Sequence, residues 1–335
     1  MKKFLAVLHA RNMEFLRDRS ALVWNLAMPF LLVFGLAFTF SGGNKDVYKI
    51  GIVGGMDRMT VVAPVLKSTE HLAFVLYDDR NKGIDKVKHH QMDMLIDVSD
   101  TPKYWVNSSS PNGYLLERII WGTEGKQFER QAVEGAEIRY VDWFLPGILG
   151  MNMMFACLFG VGFVIVRYRK NGFLKRLKAT PLGAFQFLFA QLISRLLLVM
   201  VITTIVYTGC NIFINFNMQG SYWDLLLVNT LGAMSLISIG LLIAARTASE
   251  EFAGGILNIM TWPMMLLSGA WFSLEGATGW VQSVAQIFPL THMISTTRAI
   301  MNEGATLSQV IPDVWFLAVI SVVILTIGAY IFKWE

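Results

Sequence analysis

The chain has 335 residues, of which 54% are hydrophobic and only 16% are charged, and its formal net charge is +4. Soluble domains carry about a quarter charged residues, so this composition excludes an ordinary soluble globular protein. Apolar stretches of about twenty residues recur along the chain, and a helix of that length crosses a bilayer. We therefore predict a mainly α-helical, polytopic membrane protein.

The first segment, residues 1–19, is predicted to be a helix that lies on the cytoplasmic surface of the membrane. One face is largely apolar because its residues recur at three- and four-residue spacing, and charged residues occupy the other faces. The largely apolar face comprises Phe4, Leu5, Leu8, Asn12, Phe15 and Leu16. The charged residues on the other faces are Arg11, Glu14, Asp18 and Arg19. A plain charged tail is the simpler alternative.

The sequence predicts six transmembrane helices, the first within residues 20–40 and the other five within residues 143–335. The predicted spans are Ala21–Phe40, Trp143–Val166, Phe185–Ile214, Trp223–Ala245, Phe252–Leu274 and Val314–Phe332. Basic residues concentrate before the first span and between the second and third spans, whereas residues 215–222 contain none. Because basic loops stay in the cytoplasm, we expect both termini to be cytoplasmic.

Residues 41–142 are then expected to form a small external α/β domain between the first and second helices. Their composition is close to that of a soluble domain, and alternating or short apolar runs indicate strands. The predicted strands are Tyr48–Val53, Ala73–Tyr77 and Met94–Val98, and the predicted helices are Asp79–His90 and Tyr114–Glu134.

The loop that follows the second span reads RYRKNGFLKRLKATP over residues 167–181. It is short and strongly basic, but it also contains Phe173, Leu174 and Leu177 at a spacing that gives a short helix one apolar face. A membrane loop needs such a face to dock on another protein, whereas positive charge alone satisfies the topology. The sequence leaves both explanations open.

This loop resembles the pattern R-E-x-G-T-L-E-R-L-x-x-T-P-L, which follows the second span of bacterial ABC-2 permeases. The matching residues are Arg169, Gly172, Leu174, Arg176, Leu177, Thr180, Pro181 and Leu182. A second, distant motif of the same family is similar at Asn258, Pro263, Leu267, Ser268, Gly269, Phe272, Glu275, Trp280, Pro289, Leu290, Thr291 and Arg298. The chain thus resembles the membrane subunits of ABC-2-type multidrug and lipid exporters over nearly its whole length.

The resemblance implies that residues 171–181 form a coupling helix seated in a cleft of a separate ABC ATPase subunit. The implied coupling residues are Arg169, Gly172, Leu174, Arg176, Leu177, Thr180 and Pro181. Two ATPase copies and a second permease, as in a homodimer, would complete the unit. A second ATPase contact is expected at Arg246, Glu250 and Glu251, with Arg246 and Glu250 paired at i, i+4 spacing.

The chain itself is expected to be a transport subunit rather than an enzyme, with no cofactor and no metal. It contains no G-x-x-x-x-G-K-[ST] nucleotide-binding motif, so ATP-Mg would bind to the partner ATPase. We also expect the chain to lie among the lipids of the bacterial inner membrane and to bind no nucleic acid. The family also implies a re-entrant segment over residues 275–290, for which a simple external loop is the alternative.

Three polar residues and one methionine inside the spans are candidates for a substrate path, namely Asn152, Arg195, Asn258 and Met264. Arg195 has three interpretations: snorkelling to the inner headgroups, contact with an anionic substrate, or pairing across helices. For the asparagines and the methionine, helix packing is the alternative.

We expect the chain to export an amphipathic, lipid-like or drug-like substrate from the cytoplasm or the inner leaflet. The alternative function is a membrane-anchored envelope assembly or sensor protein that binds a partner through its external domain.

Overall fold

The computed structural model describes residues 2–40, 48–69, 71–99, 101–123, 128–135, 139–216, 218–271, 274 and 279–334. The protein is mostly helical and divides into two compact units, residues 1–40 with 140–335, and residues 41–139. The helices are α1 Lys2–Arg17, α2 Arg19–Phe40, α3 Met56–Val62, α4 Pro64–Ser68, α5 Arg80–Lys88, α6 Pro111–Thr123, α7 Tyr140–Lys170, α8 Phe173–Lys178, α9 Ala184–Ile214, α10 Tyr222–Ala244, α11 Glu250–Leu267, α12 Gly279–Ala285, α13 Pro289–Glu303 and α14 Ile311–Ile331.

Helices form over all six predicted spans, as α2, α7, α9, α10, α11 and α14. In the described part of the chain, four of them, α7, α9, α10 and α14, are long and apolar enough to cross a membrane. The described apolar stretch of α2 is shorter, covering Asn25–Gly35. For α2 and α11, membrane crossing stays a prediction.

Helix α11 is shorter than the predicted span Phe252–Leu274, because it ends at Leu267. The Ser268 side chain occupies the end of the helix, where its hydroxyl donates to the Met265 carbonyl and accepts from the Ala270 amide. A hydroxyl that bonds to nearby main chain competes with further helix formation. Hydropathy continues through this point and therefore gives no signal of the end.

The helical unit is organised around α7 and α10. Helix α10 packs against α7, α13 and α14, and α7 also packs against α2, α9 and α11. Buried residues of these helices form one large apolar core that includes Met154, Leu158, Leu236 and Leu257. Met264, one of the candidate path residues, is fully buried in the helical unit, as are Met153 and Met154.

Helix α1 forms within the predicted N-terminal segment and packs along α9. The ring of Phe4 lies 5.9 Å from that of Phe189, and Phe15 is buried. Arg11, which the pattern places on a face other than the apolar one, does not point into solvent. It is buried, pairs with Glu14 at 2.9 Å, and donates to the Gly160 carbonyl of α7 at 3.2 Å.

The second unit is an α/β domain with one five-stranded sheet, in the order β2-β1-β3-β4-β5. The strands are β1 Tyr48–Val53, β2 Leu72–Leu76, β3 Met94–Asp97, β4 Lys103–Asn107 and β5 Glu129–Val133. Only the β3–β4 pair is antiparallel. The three predicted strands are confirmed as β1, β2 and β3, and the first predicted helix is confirmed as α5.

The second predicted helix of this domain, Tyr114–Glu134, is only half right. Helix α6 ends at Thr123, and Glu129–Val133 forms β5 instead. Pairing explains the difference, since β5 adds in parallel to β4 with Glu129 opposite Lys103, whose side chains lie 2.9 Å apart. A long-range strand pair of this kind overrides local helical spacing.

Candidate functional site

The predicted coupling segment folds into a sharp turn followed by a short helix. Helix α7 ends at Lys170, and Gly172 adopts φ 69°, a left-handed conformation that reverses the chain before α8 begins at Phe173. Glycine reaches this conformation without steric cost. After α8, the Thr180 hydroxyl donates to the Leu177 carbonyl. Gly172 and Thr180 thus bound a six-residue helix, followed by the exposed Pro181.

Helix α8 has one anchored side and one exposed basic side. Leu174 is fully buried in the main core, and Leu177 packs against the same core while partly exposed. Lys175, Arg176 and Lys178 are exposed. The expectation of a free apolar docking face that includes Leu174 is therefore wrong, because Leu174 attaches the helix to its own bundle, although Phe173 is exposed.

Arg169 is the most extensively bonded side chain in this region, although it was predicted to contact the ATPase. It is buried, with 7% of its surface exposed. Its Nη1 donates to the carbonyls of Ala244 (2.8 Å) and Thr247, and its Nη2 donates to those of Ala245 and Lys333 at 2.8 Å each. A surface contact through this side chain is excluded by that burial.

We call this arrangement the Arg169 junction: Arg169, the carbonyls of 244–247, and residues 331–333. Its guanidinium lies 5.8 Å from the ring centroid of Phe332, and the Lys333 amide donates to the Ala245 carbonyl. The carbonyls at the end of α10 lack helical partners and carry partial negative charge. A single guanidinium therefore connects the end of α7 to the end of α10 and to the chain that follows α14.

The predicted second contact lies beside this junction, but the expected Arg246–Glu250 pair is not what forms there. Arg246 donates to the Ile331 carbonyl at 3.2 Å, and Glu250 lies 3.7 Å from Lys170. The i, i+4 spacing does not bring Arg246 and Glu250 together, because the two residues are not on one helix: α10 ends at Ala244 and α11 begins only at Glu250. Glu251 is exposed and accepts from Ser249, and this hydrogen bond, with a smaller effect of Lys170, holds its carboxyl pKa below the ordinary value.

A cavity of about 570 Å³ lies between α1, α2, α7, α9 and α11. We call it the α1–α7 cavity. Its charged lining residues are Arg11, Glu14, Asp18, Arg167 and Arg195, and its other lining residues include Met28, Leu32, Ile148, Met151, Asn152, Phe155, Met265 and Trp271. Ligand cavities of proteins typically measure 300–1,000 Å³ and are mostly apolar with a few polar groups.

Arg195 lies inside the bundle, which decides against snorkelling. Only 5% of its surface is exposed, and its Nε donates to the Ala156 carbonyl of α7 at 2.8 Å. Its guanidinium lies 5.2 Å from the ring centroid of Phe15. Gly160 provides the space, because a Cβ at that position would lie 2.0 Å from Nη2 of Arg195.

The four candidate path residues do not converge on one site. Asn152 and Arg195 line the α1–α7 cavity. Met264 is fully buried in the core, and its neighbour Met265 lines the cavity instead. Asn258 is exposed on α11. Sequence reasoning did not identify Arg11 as a lining residue of the cavity, because its place among other charged residues gave no indication that it is buried.

The other end of α7 is held by α13. Arg298 donates from Nε to the Trp143 carbonyl at 2.9 Å and stacks 3.9 Å from the Trp143 ring centroid. The Asn302 side chain donates to the Asp142 carbonyl at 3.3 Å. The second family motif therefore places Arg298 where it fixes the start of α7.

The predicted re-entrant segment is described only from residue 279 onward. It comprises α12, a break at Gln286–Phe288, and the first turn of α13, where Pro289 is the first helical residue. Phe272, Ser273 and residues 275–278, which carry part of the second motif, lie outside the described residues. Re-entry into the membrane stays a prediction.

Comparison with known proteins gives a consistent result. The family model of the ABC-2 type transporter matches residues 111–302, more than half of the chain. The chain is 21% identical over 277 residues to the probable multidrug ABC transporter permease YbhR of Escherichia coli, covering 78% of this chain and 73% of that protein. It is 22% identical over 343 residues to the probable multidrug ABC transporter permease YbhS of the same organism, covering 91% and 89%.

A eukaryotic relative matches as well. The chain is 23% identical over 358 residues to ABC transporter G family member 20 of Dictyostelium discoideum, covering 95% of this chain and 48% of that protein. The matched model spans α7, α8, α10 and the Arg298 helix, which are the elements that build the coupling segment and hold α7. The chain therefore belongs to the ABC-2 type transporter family and is an ABC-2-type permease.

Proposed function

We propose that this chain is the membrane subunit of an ATP-driven exporter in a bacterial inner membrane, with both termini in the cytoplasm. ATP would bind and be hydrolysed on a separate ABC ATPase, present in two copies, and a second copy of this chain would complete the transporter. The 41–139 unit would lie outside the cytoplasm. The bacterial relatives named as multidrug permeases support this proposal.

The observation that carries the proposal is the construction of α8. It presents Lys175, Arg176 and Lys178 to solvent while Leu174 fixes it in the core. A short helix held in this way moves as a rigid body when a partner pushes on it, whereas a flexible loop would absorb the motion. Helix α8 is therefore the proposed contact for the ATPase, with Leu177 at the edge of the contact.

The Arg169 junction is the proposed route from α8 into the bundle. A displacement of the α7–α8 turn would pull on four carbonyls at once, those of 244, 245, 247 and 333. Because Glu250 also lies beside Lys170, the start of α11 would follow. The motion of one short helix would thereby reach α10, α11 and the chain after α14.

The α1–α7 cavity is the proposed substrate route. It is lined by helices that would move with α7, and its walls are largely apolar with charged groups that include those of α1, α7 and α9. Such a lining suits an amphipathic, lipid-like or drug-like molecule better than a hydrated ion or sugar.

The coupling role is tested by replacing both Arg176 and Leu177 with Asp. The reversed charge removes the basic side of α8 and places a carboxylate in its partly buried edge, so substrate-stimulated ATP hydrolysis and transport should fall to background. The control is Leu115→Asp with Arg118→Asp on α6, which changes an exposed leucine and an exposed arginine on another helix.

ATPase activity is measured on the transporter purified with its co-purifying partners. Full stimulation in the α8 variant would refute the coupling assignment. Co-purification of an ABC ATPase in stoichiometric amount supports export. Capture of an envelope protein without any ATPase would instead favour the assembly or sensor function.

A further inference from the structure

We propose that the α1–α7 cavity takes an amphipathic organic anion, whose acidic group is held by Arg195. This inference rests on the proposed function, because it identifies the chemical class of the substrate that would use the route. It is independent of how the ATPase is coupled, since it concerns only the residues that line the cavity.

The first step is the uncompensated charge of Arg195. Its Nε and Nη2 donate to the Ala156 carbonyl, which satisfies two of five N–H donors. In the part of the chain that the structure describes, its side chain has no carboxylate partner within ion-pair distance. A buried charge is costly unless it is paired, and an intramembrane charge marks a binding site by default.

The second step concerns Glu14, a carboxylate that lines the cavity and is paired with other groups. Glu14 accepts from Arg11 at 2.9 Å and from the Tyr168 hydroxyl. Arg11 is itself held, because it also donates to the Gly160 carbonyl. The Arg11–Glu14 pair is thus internally neutral and does not offset the charge of Arg195.

The third step is the charge balance of the lining residues that the structure describes. With Arg11 and Glu14 cancelling, the remaining charged groups are Arg167, Arg195 and Asp18. Two guanidinium groups against one carboxylate leave an excess of one positive charge in a cavity that is otherwise mostly apolar. A ligand with one negative charge neutralises this excess, whereas a cation would add to it.

The fourth step is the position of Arg195 relative to the apolar part of the cavity lining. Arg195 is fixed in the wall by the space at Gly160 and by Phe15. The lining contributed by Leu32, Ile148 and Met265 is apolar. A ligand whose acidic head contacts Arg195 and whose apolar body lies along these residues fits both the charged and the apolar part of the lining. The cavity volume of about 570 Å³ lies in the range of pockets that hold drug-sized ligands.

The test measures binding of three probes that share one dansyl-labelled undecyl chain and end in a sulfonate, an alcohol or a primary amine. The full-length chain is placed in phosphatidylcholine nanodiscs, and the signal of empty discs is subtracted. The wild-type protein should bind the sulfonate at least about tenfold more tightly than the alcohol, and the amine most weakly. This comparison requires no variant.

Variants then assign the preference to Arg195. Arg195→Gln should weaken sulfonate binding about tenfold and leave alcohol binding unchanged, while Arg195→Lys should retain part of the preference. Arg118→Gln, at an exposed position in the 41–139 unit, is the control. Equal loss of all three probes in Arg195→Gln, with Arg195→Lys equally affected, would overturn the anion assignment and give Arg195 a purely structural role.

Two further outcomes separate this inference from the proposed function. Tighter binding of the amine, weakened by Asn152→Ala, would overturn the anion class while keeping the route. No binding of any probe would remove the cavity from the proposed route, and with it this inference, while leaving the coupling test at α8 unaffected.

Displacement of the sulfonate by phosphatidylglycerol in the discs would identify a lipid headgroup as the anion. Undisturbed binding of the sulfonate would identify a free amphiphile.

Discussion

Arginines in the helical unit bond mainly to main-chain carbonyls. The acceptors are the carbonyls of Gly160 for Arg11, Ala244, Ala245, Thr247 and Lys333 for Arg169, Ala156 for Arg195, and Trp143 for Arg298. A bundle of apolar helices offers few carboxylates, whereas every turn offers carbonyl oxygens with a second lone pair. Arginine can use them because it presents five donors in a planar array.

The packing of Arg195 against Gly160 gives a prediction at the level of a single atom. In Gly160→Ala, the added Cβ would lie 2.0 Å from Nη2 of Arg195, so the guanidinium must leave its place on α7. We expect the free energy of unfolding to fall by about 1–3 kcal/mol, as overpacking usually costs, and the preference for the sulfonate probe to be lost.

The control for this substitution is Gly255→Ala in α11, where a Cβ would meet nothing within 4 Å. An alanine there should be neutral or slightly stabilising, because it lowers the entropy of the unfolded chain. Thermal unfolding of the solubilised protein measures both variants. Equal stability of the two variants would show that Arg195 does not depend on Gly160.

At the scale of elements, the six residues of α8 have two roles. Leu174 attaches the helix to the core, and the exposed basic residues form the proposed contact with the ATPase. Leu174→Ala should lower the free energy of unfolding by about 2–5 kcal/mol, because it empties a fully buried position. Lys175→Ala should leave stability nearly unchanged and reduce ATPase stimulation. Unfolding and ATPase measurements on the same preparations separate the two effects, and a stable, uncoupled Leu174→Ala protein would contradict this division.

The Arg169 junction predicts that lysine cannot replace arginine. A compact ammonium group has three donors and cannot reach four carbonyls from separate segments. In Arg169→Lys, as in Arg169→Gln, hydrogen exchange at residues 244–247 and 331–334 should accelerate, and substrate stimulation should be lost while the basal ATPase activity remains. The control is Arg17→Lys at an exposed position of α1. Normal exchange and stimulation in Arg169→Lys would reject the junction as the route.

The sequence predicted the positions of the long helices because apolar runs of about twenty residues are the length that a bilayer-spanning helix needs. It predicted the ends less well, as at Leu267, because hydropathy does not respond to the hydroxyl of Ser268. It also placed Arg169 among the coupling residues and Leu174 on a docking face, without indicating that both side chains are buried. Both sit in a basic loop whose spacing indicates a helix, but which side of that helix is buried depends on residues about 70 or more positions away, such as Ala244.

At the scale of the whole molecule, the two units are stabilised by different means. The 41–139 unit has a sheet with a separate apolar core that includes Ile50, Ile96 and Tyr104. It also contains a buried carboxylate, Asp97, which pairs with Arg80 at 2.5 Å. Burial raises the pKa of Asp97, but hydrogen bonds from Ser99 and the charge of Arg80 outweigh this effect and lower it. The helical unit combines apolar packing with arginine–carbonyl bonds and with ion pairs such as Arg11–Glu14.

Outside the predicted spans, His292 joins α13 to the start of α14. Its Nδ1 lies 2.5 Å from Asp313 and its Nε2 lies 2.7 Å from the Gln286 carbonyl, with the Phe316 ring stacked at 4.0 Å. Both nitrogens face acceptors, and only the protonated ring donates from both. Burial lowers the pKa of His292, but the hydrogen bonds to Asp313 and Gln286 and the Asp313 charge raise it overall.

This arrangement makes the stability of the whole chain depend on pH. Because the pKa of His292 is higher in the folded than in the unfolded state, its contribution is fully present below the ordinary histidine pKa of about 6.5 and is lost as the pH rises through the folded-state value. The thermal midpoint of the wild-type protein should therefore fall over that range relative to His292→Gln, which cannot titrate. His9→Gln, at an exposed position of α1, should follow the wild-type profile. Parallel profiles for wild type and His292→Gln would show that the protonated ring does not hold α13 to α14.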